Sequence, residues 1–113
     1  MIIKNKYNMD KLKITISGIV EVTVKNITIG TVIKRKVNSK FRYDENDNYI
    51  GIIEHKNDSG NNYDLFIDLS SSEIATGKEC SCNIFNETKN RDYGTKKSKL
   101  SQSGGVNFVF DIY

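Results

Sequence analysis

Proline and tryptophan are absent from this 113-residue chain, cysteine occurs twice, and histidine once. The first two absences accompany abundant Lys, Asn, Ile and Ser, the bias that an AT-rich genome produces without selection on function. No apolar stretch approaches the roughly 18 to 20 residues of a membrane-spanning helix, so no such span is expected. The first nine residues, Met-Ile-Ile-Lys-Asn-Lys-Tyr-Asn-Met, lack the apolar core and cleavage site of a secretory signal. A cytoplasmic chain or a processed mature product is therefore the expectation.

The chemistry of catalysis is equally sparse. There is no Gly-rich phosphate loop, no nucleophile elbow and no HExxH pair, and a lone His55 gives acid–base chemistry few partners. Carboxylate pairs such as Asp64 and Asp68, on one side of a strand with Phe66 between them, are what a glycosidase reading would draw on. The expectation is a non-enzyme with no cofactor. Cys80 and Cys82 are separated by one residue on an extended segment, where a disulfide needs strained backbone and a zinc site lacks ligands. They read as small buried side chains facing a core.

What the chain does contain is alternation. Leu12, Ile14 and Ile16 are followed by Val20, Val22 and Val24, and the period of two recurs at Leu65, Ile67, Leu69, at Cys80, Cys82, Ile84, and at Phe108, Phe110, Ile112. Strand side chains alternate faces, so each run places one apolar row on a core and one polar row in water. Strands are expected at 11–17, 19–25, 27–37, 40–43, 49–55, 63–69, 78–85 and 106–113. The apolar parity flips from even at Val24 to odd at Ile27, which demands a bulge or tight turn near Lys25 and Asn26.

These segments predict an all-β, single-domain antiparallel β-sandwich over residues 1–113, jelly-roll or Ig-like, of about eight short strands. A closed β-barrel is the runner-up. Residues 1–10 read as a flexible N-terminal arm and 86–105 as a long polar loop. A single helical turn is expected over 71–75.

Charge is unevenly distributed. Residues 1–43 carry ten basic and two acidic side chains, 44–79 two and nine, and 80–113 five and three. Two readings follow: basic strands pair with acidic neighbours inside each sheet, or opposite faces of the domain carry opposite charge and favour association between copies. The densest basic cluster is Lys34, Arg35, Lys36, Lys40 and Arg42, and Lys96 with Lys97 and Lys99 forms a second. If the first segment stays extended, Lys34, Lys36, Lys40 and Arg42 share a face, which would suit an anionic surface. Nucleic acid is not the expected partner, because no recognition motif accompanies the cluster.

Two Asn/Asp-rich loops, 44–48 and 57–62, each lead into a tyrosine, Tyr49 and Tyr63. Tyrosine beside amides is the chemistry of carbohydrate and protein binding. Asp44, Asp47 and Glu73 are the conceivable cation ligands, although the loop fails the EF-hand template. The strand from Tyr49 to His55 would hold the two loops at opposite ends. The expected function is a binding or assembly module whose partner is a protein, the chain itself included; a lectin-like or calcium-assisted binder and a basic-face binder are the alternatives.

Overall fold

A computed structural model describes residues 9–57, 61–72 and 77–113. It is a sandwich of two antiparallel sheets. Its strands are β1 (Met9–Ser17), β2 (Val22–Ile29), β3 (Val32–Arg35), β4 (Phe41–Tyr43), β5 (Tyr49–Lys56), β6 (Tyr63–Ser71), β7 (Glu79–Asn86), β8 (Arg91–Lys99) and β9 (Gly105–Ile112), with a 3₁₀ turn at Val37–Lys40. One sheet runs β4-β5-β1-β7-β8 and the other β3-β2-β6-β9. Neither closes on itself, so the barrel reading falls.

The alternation is what the core is made of. Leu12, Ile14 and Ile16 of β1 face Leu65, Ile67 and Leu69 of β6 across the sandwich interior, with Ile27 and Ile29, Ile84, Phe110 and Ile112 filling the rest; all are fully buried. Cys80 and Cys82 lie in the same layer as free thiols. Burying a Leu or Ile contributes about 1.5–3 kcal/mol each, so the in-facing rows decide both register and layer.

The parity flip is a bulge. β2 pairs with β6 from Val22↔Ser71 to Ile29↔Leu65, and the register slips between Val24 and Asn26. The expected segments 19–25 and 27–37 therefore redistribute: 22–29 is one bulged strand, and a two-residue turn at Gly30 and Thr31 separates it from β3. Gly30 has φ of 59° at the first central position, where a type II′ hairpin needs glycine.

The loop expected over 86–105 is mostly strand. Asn86 ends β7, residues 87–90 turn, and nine residues from Arg91 to Lys99 pair with β7 as an edge strand. Exposed on nearly every side, β8 has no apolar row to betray it. Of the expected arm, Met9 and Asp10 belong to β1, and 1–8 lie outside the described residues. The helical turn expected over 71–75 also falls largely outside them, since 73–76 are not described and Ser71 closes β6.

Candidate functional site

The basic cluster does not form one face. Lys34 lies opposite buried Ile27 and points between the sheets, whereas Arg35 lies opposite Asn26 on the outer side. Lys36 takes a left-handed φ of 59° to enter the 3₁₀ turn, and Arg42 sits opposite Ile50 on the outer face of the other sheet. The turn breaks the extended run that a shared face required. What remains is a cleft of about 330 Å³ at the open side between β3 and β5, lined by Lys34, Val37, Lys40, Ile52, Ile53 and Glu54. Lys96 and Lys97 also part: Lys96 lies opposite Cys82 with its Nζ 5.4 Å from the centre of the Phe110 ring, while Lys97 lies opposite Ser81 on the outer face.

Both tyrosine hydroxyls are engaged within the chain. Tyr49 is buried, and its hydroxyl donates to Asn38 Oδ1 at 2.7 Å, an oxygen that also accepts from the Val24 amide at 3.0 Å. Asn38 thus ties the bulged strand to β5. Tyr63 donates to Asp10 Oδ2 at 2.6 Å, and burial followed by that carboxylate pushes its phenol far above the ordinary value. Asp10 is itself buried, and its Oδ1 accepts from Asn86 Nδ2 at 3.2 Å, with Lys89 Nζ 3.9 Å away. Neither tyrosine offers a free hydroxyl to a sugar. A shallow hollow of about 280 Å³ lies beside Tyr63, lined in part by His55, Asn57, Asn61 and Asn62.

Residues 44–48 and Asn57 lie at opposite ends of β5; residues 58–60 of the second loop lie outside the described residues. In the first, Asp44 Oδ1 accepts from the amides of Asn46 (2.8 Å) and Asn48 (2.9 Å). Those bonds hold its carboxyl below the usual acid range and make Asp44 the clasp of its own turn. Asp47 has φ of 61° in that turn, and Glu73 lies outside the described residues. Among the described residues no three His, Cys, Asp or Glu side chains converge on a metal position.

Thiol chemistry is suppressed. Burial pushes Cys80 up to about 12 and Cys82 higher still, so neither supplies thiolate near neutral pH. Burial, then Lys34, lowers the pKa of His55, whose ring lies 4.8 Å from that of Tyr63. Asp64 and Asp68 project from the outer face of β6 with Phe66 between them, on an open sheet surface.

That outer face brings together residues the sequence did not connect. Directly opposite residues in an antiparallel ladder share a face, so Ile33, Thr28, Phe66 and Val109 form one row across all four strands of the smaller sheet. Ile33 is 52% exposed and Val109 47%. Acidic groups flank the row: Asp64 lies opposite Asp111 on one side, and Asp68 opposite Asn107 on the other. The basic residues on this side are Arg35, at its β3 end, and exposed Lys25 in the β2 bulge.

The five-stranded sheet presents the opposite sign. Its outer face carries Lys11, Lys13, Arg42, Lys97 and Lys99 against Glu54, Glu79 and Asp92. It too has an apolar strip, where Ile52 and Phe85 flank Lys13 in register. Glu54 lies opposite Lys11 and Glu79 opposite Lys99, so pairing within the sheet absorbs part of the charge and leaves a basic excess. Phe66, Val109 and Asp111 were missed in the sequence because their role depends on cross-strand register; Phe66 interrupting the outward Asp64 and Asp68 was the available signal.

No family model, curated protein or solved structure matches this chain. Among the described residues no helix is long and apolar enough to cross a membrane.

Proposed function

We propose that this protein is a non-enzymatic assembly module that associates with copies of itself through the outer faces of its two sheets. The observation that carries this reading is the opposite charge of those faces, each crossed by an apolar strip. Stacking the smaller sheet of one copy on the larger sheet of the next sets Asp64, Asp68 and Asp111 against Lys11, Lys13 and Arg42. It also covers Ile33, Phe66 and Val109 with Ile52 and Phe85. Such a contact is heterologous, so it grows into open chains rather than closing as a dimer. Complementary charge supplies orientation and encounter rate, and the apolar strips supply most of the affinity.

The test is charge reversal. In Asp64→Lys/Asp68→Lys both substitutions lie on the solvent face of β6, leaving the core untouched. At low ionic strength the wild-type chain is expected to gain mass with concentration in light scattering, while the double variant stays at the mass of one chain. Equal behaviour of the two proteins contradicts the reading.

A further inference from the structure

The four edges of the sandwich are not equally defended. An edge strand exposes unpaired backbone N–H and C=O groups, and folded proteins blunt it by shortness, charge, bulges or inward-pointing lysine. β3 has four residues and β4 three. β8 is long, but it carries Arg91, Lys96, Lys97 and Lys99, and its register slips opposite Asn83 and Phe85 around Gly94, whose φ is 89°. The Asn83 amide stitches that bulge to Asp92 Oδ1, the Gly94 carbonyl and Thr95 Oγ1 at 2.9 to 3.2 Å.

β9 is neither short, bulged nor basic, and Asp111 is its one charge. It runs eight residues from Gly105 to Ile112 without a basic residue, in unbroken register with β6 from Tyr63↔Ile112 to Ser70↔Gly105. No described strand pairs with its other edge. Backbone groups are taken at its two ends alone among the described residues: the Gly105 carbonyl accepts from the Ser101 amide at 3.0 Å and the Gly105 amide donates to Ser101 Oγ at 3.1 Å, while Tyr93 OH donates to the Tyr113 carbonyl at 2.9 Å.

We infer that β9 is a pairing edge and that its occupant is β9 of a second copy, antiparallel about a two-fold axis through Val109. This inference rests on the reading of the chain as a self-assembling module and adds a second, closed contact to it. The register is self-complementary. Val109 meets Val109 of the copy, Asn107 meets Asp111, and Phe108 meets Phe110, so no like charges oppose one another. The apolar row from Ile33 to Val109 continues into its own image, and the four-stranded sheet becomes eight-stranded.

The same two-fold keeps the core faces on one side and therefore brings the basic β8 edges of both copies together. Their repulsion opposes pairing at low ionic strength, and salt relieves it. Edge pairing thus strengthens with salt, whereas stacking of opposite faces weakens with it. The two contacts separate on that sign.

The experiment uses Val109→Cys, with Thr28→Cys as the control on the same outer face but away from the edge. Native Cys80 and Cys82 are buried and do not compete. Under mild oxidation in about 1 M sodium chloride, where charges act over about 3 Å, V109C is expected to form a disulfide-linked dimer. Its rate should exceed that of T28C by about a hundredfold, because pairing raises the local thiol concentration. Without oxidant, the wild-type mass should approach two chains in that salt and Val109→Lys should stay at one. Equal cross-linking of V109C and T28C, or a wild-type chain that stays monomeric in high salt, overturns the inference. Face stacking is judged separately, by growth beyond two chains at low salt.

Discussion

Asn38 is the residue on which local structure most depends. One oxygen accepts from a bulged-strand amide and from the Tyr49 hydroxyl. Removing it strands a partly buried donor, which costs about 1–3 kcal/mol. Asn38→Ala should therefore lower the melting temperature by about 5–15 °C, and Tyr49→Phe, which deletes only the second donor, by distinctly less. A calorimetric comparison of the two variants checks the order. The thiols give a pH-dependent counterpart. Unfolded cysteine releases its proton near about pH 8.5, whereas burial holds the folded Cys80 proton to about pH 12 and shifts Cys82 the same way. The unfolded chain thus binds fewer protons above pH 8.5, and the contribution of the neutral thiols, complete below that pH, is lost as pH rises. Thermal unfolding at pH 7 and pH 10 should show a fall that Cys80→Ala/Cys82→Ala reduces. The inward thiols were legible from alternation alone, whereas the fate of Tyr49 and Tyr63 was not. Their partners, Asn38 and Asp10, lie 11 and 53 residues away, and a tyrosine after an Asn-rich turn looks the same whether its hydroxyl is engaged or free.

At the scale of the element, legibility followed burial. β1, β6, β7 and β9 each place a continuous apolar row on the core, and the period of two located them within a residue or two. The bulge in β2 was visible because burial forces parity to flip when a residue is inserted. The hairpin at Gly30 hid behind the same rule. Ile27, Ile29 and Ile33 hold one parity, yet the two-residue turn puts Val32 beside Ile29 and sends Ile33 outward. β8 was invisible for a different reason: an edge strand wet on both sides needs no apolar row, and what specifies it is the ladder with β7 and the Asn83 clasp. Gly94 is the testable point, since its φ of 89° is unfavourable for any side chain. Gly94→Ala should cost about 1–2 kcal/mol and raise amide exchange along β8 while leaving β1 and β6 protected.

For the molecule as a whole, the uneven charge along the chain becomes a difference between surfaces. The acidic middle segment supplies Asp64 and Asp68 to one outer face, and the basic first segment supplies Lys11, Lys13 and Arg42 to the other. Sequence counting left two outcomes open, and register distributes charge between both: Lys11 with Glu54 and Lys99 with Glu79 pair within a sheet, while Asp64 and Asp111 oppose each other with no cation in their row. Like charges directly opposed destabilise an isolated sheet, and a cationic surface laid over them offsets that cost. Light scattering of the wild-type chain through a concentration series, at about 0.01 M and then about 1 M salt, tests this most directly. Mass should climb past two chains at low salt and fall back to no more than two at high salt. A chain that keeps the mass of 12.9 kDa at every concentration in low salt contradicts it.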